Sequence, residues 1–221
     1  MSEDRGPVVG QDEPVITTSK VVTTVFDRVL SAIHDGTLLP GQHISDTEIA
    51  KQLNVSRTPV REAIQRLREI GLIEASSDRF TRIVDVTPEQ TRHAYIVWQA
   101  LYSVLVDEVV PRAPERSYNV MLRDNATFLA ALSTREARPI AKANLDFFSR
   151  LPPESDNVAL QRAITSVVHL LSLGSMHLPG FIDLASLSEA QRLLLGAVRD
   201  HDLTAAREAM SLLGRIEIPT S

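Results

Sequence analysis

Cysteine is missing from this chain of 221 residues, so it holds neither a disulfide framework nor a thiolate metal site. Long apolar runs are missing too, and the stretches that exist are too short and interrupted to cross a bilayer. The first fourteen residues lack the apolar core of a secretory leader. With Gly6, Pro7, Gly10 and Pro14 they read as part of a disordered tail over residues 1–17. Ser172 and Ser175 lie near His169 and His177, but no nucleophile elbow accompanies them, which argues against hydrolase chemistry. His169 and His177 are too far apart for an i, i+4 metal pair, and Gly174 intervenes. A cytoplasmic protein that is not an enzyme, needs no cofactor or metal and touches no membrane is the resulting expectation. Excess positive charge is also absent, the net charge being −5. Nucleic-acid binding would therefore depend on a local basic face rather than on the total.

The informative stretch is ISDTEIAKQLNVSRTPVREAIQRLREIGLI, residues 44–73. It reads as two short helices joined by a tight turn. Ser45 and Glu48 form a capping box for the first helix, and Ile49 and Leu53 supply its apolar face. Asn54 suits a left-handed turn. Ser56 caps the second helix, and Pro59 falls in the first turn, where no intrahelical N–H is lost. Val60, Ala63, Ile64 and Leu67 line one face. Arg57, Thr58, Arg61 and Gln65 lie elsewhere, at the exposed start, as reading the major groove of double-stranded DNA requires. Arg66 and Arg68 fit either a solvated face or phosphate contacts.

Gly71 ends that helix. Residues 72–75 and 79–84 read as two extended runs around a turn at Ser76, Ser77 and Asp78, which makes a winged helix with Arg79 and Arg82 on the wing. Upstream, Val22, Val25, Phe26, Val29, Leu30 and Ile33 repeat at helical spacing over residues 21–34. The segments HDGTLLPGQHIS and DTEIAKQLNVSRTPVREAIQRLREIGLIE, with the wing, resemble the GntR family of bacterial transcriptional regulators across residues 18–86. That resemblance implies operator contacts from Thr47, Arg57, Thr58 and Arg61, and places Ser77, Asp78 and Arg79 at the wing tip. Where the family usually has a glycine near the tip, this chain has Asp78.

After a short linker at residues 85–87, every strong signal is helical. Expected helices run from the Thr87–Gln90 capping box to about residue 110, over 115–132, from a Ser133–Glu136 cap to about 151, over 157–173 up to Gly174, from a Ser186–Glu189 cap to about 200, and over 204–213 behind Asp202. The fold expected is mainly α: an N-terminal winged helix-turn-helix domain (18–86) and a C-terminal all-α antiparallel helical bundle (87–221). Such a bundle is similar to that of the FadR subgroup, whose C-terminal domain, called FCD, dimerises and binds an effector, often through one aspartate and three histidines on a metal. Here those positions are Asn144, Phe148, Gln191 and Leu213, so the resemblance implies a pocket without metal. Trp98 and Tyr102 stand where relatives often place arginine and glutamate. Trp98, Tyr102, Asn144, Phe148, Gln191 and Leu213 are accordingly the candidate lining of a pocket for a largely apolar small molecule. Equally, they fit the packed core of a bundle without an effector.

Three functions fit these signals. The favoured one is a ligand-modulated, sequence-specific DNA-binding regulator that acts as a homodimer. An interaction module using its winged helix on another protein is the alternative, and an enzyme using the bundle pocket is the third.

Overall fold

The computed structural model describes residues 16–75, 81–178 and 180–220. Helix α1 (Ile16–His34) is longer than expected and begins inside the anticipated tail. Val22, Val25, Val29 and Ile33 recur on one face of it and are all buried. After a two-residue strand β1 (His43–Ile44) come α2 (Asp46–Leu53) and α3 (Arg57–Glu69), the two helices of the helix-turn-helix. The Ser45 hydroxyl accepts from the Glu48 amide at 3.4 Å, and Asn54 closes α2 in the left-handed conformation. Ser56 occupies the N-cap position of α3 but makes no side-chain cap bond. Gly71, at φ +76°, supplies the backbone turn from α3 into β2 (Ile73–Ala75).

With β3 (Thr81–Ile83) the strands form an antiparallel sheet of order β1-β3-β2, with Ile44 opposite Thr81 and Ile73 opposite Ile83. The two wing strands fall within the expected runs, whereas β1 was not anticipated because two residues are too few to show an alternation. The wing-tip residues Ser77, Asp78 and Arg79 lie outside the described residues.

The bundle comprises α4 (Pro88–Val109), α5 (Glu115–Leu132), α6 (Ala137–Phe148), α7 (Val158–Ser175), α8 (Leu184–Asp200) and α9 (Leu203–Leu213). Thr87 and Gln90 make the full capping box that starts α4. Two other starts differ from expectation. The hydroxyls of Ser133 and Thr134 donate back to the carbonyls of Ala130 and Ala131, both at 2.7 Å, so they finish α5 and leave Glu136 at the N-cap of α6. At α8 the Asp183 carboxylate takes both the amide and the hydroxyl of Ser186, which moves the start upstream of the serine. Asp202 caps α9 as expected.

Gly174 continues α7 rather than ending it. A Cβ there would overlap Thr91 Oγ1 and lie 3.0 Å from Val86 Cγ1, so the missing side chain lets α7 cross close over the start of α4. Among the described residues two hydrophobic cores result. One is built from the winged helix and, unexpectedly, also contains Leu173 of α7. The other gathers the inward faces of the bundle from Trp98 to Ile216.

Candidate nucleic-acid interface and bundle cavity

α3 turns Val60, Ala63, Ile64 and Leu67 inward, and burial of that face against α1 orients the opposite face outward. Ser56, Arg57, Thr58, Arg61 and Gln65 are all exposed, as is Thr47 near the start of α2. Pro59 departs from the expected contact set. It is buried, so its ring packs inward and shapes the first turn instead of offering a surface to DNA. The helix carries Arg57, Arg61, Arg66 and Arg68 against Glu62 and Glu69, a local basic excess on an acidic chain. Gln65 accepts from Arg68 at 3.3 Å and donates to Glu69 at 3.4 Å along the same helix. On the sheet, Arg82 donates from Nε to Glu74 at 2.6 Å.

One residue of this surface escaped the sequence reading. Asp46, in the first turn of α2, accepts from Arg57 Nη2 at 3.0 Å on each oxygen, from Arg61 Nε at 2.7 Å and from Thr47 Oγ1 at 3.2 Å. The bonds from Arg61 and then Arg57 hold its carboxyl down at about 2, so it is ionised at neutral pH. An acid beside Thr47 in a helix that packs on α3 was the available signal.

In the bundle, a cavity of about 310 Å³ lies between α4, α6 and α7, closed by Phe181 and Ile182. Trp98, Asn144 and Phe148 of the candidate set line it, joined by Tyr95, Leu171 and Ser172. Among the described lining residues none is charged and none is histidine. Tyr102, Gln191 and Leu213, three of the expected lining residues, sit behind the wall. Tyr102 is fully buried and donates its hydroxyl to the Phe148 carbonyl at 2.8 Å, and burial pushes its phenol up. Leu213 is buried too, and its carbonyl accepts from Tyr95 at 3.0 Å and Gln99 at 2.9 Å. Gln191 is fully buried, donating to Asn144 Oδ1 at 2.8 Å and accepting from Asn125 at 3.0 Å.

The four positions that would hold a metal by resemblance therefore do not fit one. Phe148 and Leu213 carry no donor atom, and the amides of Asn144 and Gln191 are bonded to each other. Phe148 instead meets Trp98 and Tyr102 edge-on, with ring centroids 5.1 and 5.4 Å apart. Among the described residues no group of three or more metal-ligating acids or histidines occurs elsewhere.

A winged helix with an exposed cationic recognition helix, joined to a helical bundle, defines a DNA-binding transcriptional regulator. Residues 22–83 match the family described as bacterial regulatory proteins, gntR family. A helix-turn-helix transcriptional regulator from the TAR-I ttuE-ttuC' intergenic region of Agrobacterium vitis is 30% identical over 139 residues, 62% of this chain and 81% of the relative. The "probable D-xylose utilization operon transcriptional repressor" of Paenarthrobacter nicotinovorans is 26% identical over 204 residues, 89% of this chain and 86% of the relative. Among solved structures, E. coli McbR/YncC superposes with a TM-score of 0.72 at 21% identity, covering 88% of this chain and 94% of that one. The chain belongs to the GntR family of bacterial transcriptional regulators.

Proposed function

We propose that this regulator acts as a homodimer of the FadR type on a pseudo-palindromic duplex operator, and that its FCD-like bundle senses a largely apolar, uncharged small molecule without a metal. Residues 18–86 serve as the DNA-reading unit and 87–221 as the sensing and dimerising unit, in the cytoplasm. The observation that carries the DNA reading is the exposed start of α3, where Arg57, Thr58 and Arg61 stand beside Thr47. Ser56 and Gln65 extend that surface, and the family resemblance adds Ser77 and Arg79, which lie outside the described residues, as further contacts. One winged helix offers too few contacts for tight specific binding, whereas two on a shared dimer reach both half-sites. An exposed apolar stripe on α4, formed by Ile96, Val97 and Val104 at 51%, 48% and 55% exposure, supports a second copy as its cover. No helix of the described residues is long and apolar enough to cross a membrane.

For the ligand, the uncharged cavity wall supports a molecule held by apolar contact and a few hydrogen bonds to Asn144, Tyr95 and Ser172. Its volume lies at the low end of small-molecule sites, roughly 300–1,000 Å³. α7 supplies Leu171 and Ser172 to that wall and Leu173 to the winged-helix core, so a ligand that shifts α7 also shifts the DNA-reading unit.

The test is binding of full-length protein to labelled genomic duplex fragments in a salt series. Specific retention that weakens steeply between about 50 and 200 mM salt is expected. Arg61→Ala should cost about 1–3 kcal/mol and relax one base position per half-site. Binding that ignores salt, or an unaffected Arg61→Ala variant, would overturn the reading.

A further inference from the structure

Asp46 occupies an unusual place for an acid: it stands among groups expected to meet a polyanion. Its side chain is 22% exposed, while those of Arg57 and Arg61 are 53% and 65% exposed. A carboxylate offers about four acceptor sites, and here all are taken. Oδ1 receives Arg57 and Thr47, while Oδ2 receives Arg57 and Arg61. Two helices are thereby tied through one carboxylate at the edge of the recognition surface.

The atoms used are as telling as the pairing. Arg61 gives Asp46 its Nε, which leaves the Nη1–Nη2 edge of the guanidinium pointing onward. That edge is the fork that grips O6 and N7 of a guanine. A long side chain at 65% exposure samples many rotamers when unrestrained. The bond to Asp46 selects the one that presents the fork.

We propose that Asp46 is a specificity-determining positioning residue, one that touches no base itself but fixes Arg61, and with it Arg57 and Thr47, in the orientation that reads a guanine in the major groove. The inference rests on the DNA-reading function above and adds to it a division of labour. Arg61 supplies the contact, and Asp46 supplies its direction while its negative charge repels non-cognate phosphate. Removing the carboxylate then strengthens binding to arbitrary duplex and weakens discrimination.

The test is selection of bound duplexes from a pool with a randomised central segment, using full-length wild-type protein, Asp46→Asn and Glu48→Gln. Glu48 is a second first-turn acid of α2 and controls for loss of helix-start charge. Wild type and Glu48→Gln should enrich one motif with a fixed guanine in each half-site. Asp46→Asn should lose that guanine preference, and its affinity ratio for the selected against a scrambled duplex should fall about tenfold, the discrimination of one bidentate base contact. Where Asp46→Asn melts well below wild type, Asp46→Ser replaces it. If the Asp46 variant enriches the same motif with the same ratio, the proposal is overturned. If it binds the selected duplex more tightly with base preference intact, Asp46 is a competitor for the arginines and the proposal is again overturned. If wild type itself enriches no motif, the DNA-reading function fails rather than this inference alone.

Discussion

Phe148 shows how a single substitution pattern decides the chemistry of a site. Its ring packs edge-on against Trp98, Tyr102 and Phe147, and only 5% of it reaches solvent. The side chain is thus a structural wedge between α4 and α6. Phe148→Ala should cost about 3–5 kcal/mol, the range for emptying a large core aromatic, and should enlarge the cavity. Chemical denaturation of the two proteins checks the first part. A loss under about 1 kcal/mol would mean that Trp98 collapses into the space.

At the same scale, the resemblance to the FadR subgroup brought Trp98, Asn144 and Phe148 forward, and these three side chains line the cavity. It did not separate the wall from the layer behind it. Tyr102, Gln191 and Leu213 face the same interior, and only the packing depth of three helices against each other sets which side chain meets the void. Asp46 was missed for a related reason. Its partners lie eleven and fifteen residues away, so only the α2–α3 crossing brings them together.

At the scale of elements, α7 was read as a helix of the bundle, and periodicity could say no more. The helix also reaches the winged helix, where His169 stacks on His34 at the end of α1 with ring centroids 5.7 Å apart. His34 Nε2 and His169 Nδ1 are buried without a hydrogen-bond partner. Burial, with each other's proximity added for His169, pushes His169 down to about 4 and lowers His34, toward which Lys142 acts in the same direction while Asp146 and Asp35 oppose. Both rings are therefore neutral in the folded protein near neutral pH. As pH falls, the unfolded chain takes up these protons first, at the ordinary value near 6.5. Stability that depends on the contact is fully present above 6.5 and declines toward about 4. The thermal midpoint should fall between about pH 7 and about pH 5, and His169→Phe should flatten that fall. An identical decline in the variant would place the effect on other groups.

The boundaries of elements were legible where a cap is unambiguous, as at Thr87 and Asp202. They were not legible where two candidates compete within a turn. Ser133 lost to Glu136 because the hydroxyl found a carbonyl behind it, and Ser186 lost to Asp183 because a carboxylate accepts more strongly than a hydroxyl. The three-residue offset of each start follows from those local bonds and not from the hydrophobic pattern.

For the whole molecule, the family and the mainly helical architecture were readable from the recognition motif and the succession of helices. The face proposed for a second copy was not, since an exposed stripe becomes visible only when the buried faces are known. If the proposed dimer closes over Val97 and Val104 on the outer side of α4, the paired change Val97→Glu and Val104→Glu should shift the protein toward monomer and weaken operator binding by at least about tenfold. Sedimentation velocity measures the first and fragment binding the second. Retention of the dimer would move the interface to another face of the bundle.

Leu173 sits inside the winged-helix core although it belongs to α7 (Val158–Ser175), far beyond the linker at residues 85–87. A head excised at the linker would leave behind the plug of its own interior, and a head grafted from a relative would have to accept this particular leucine.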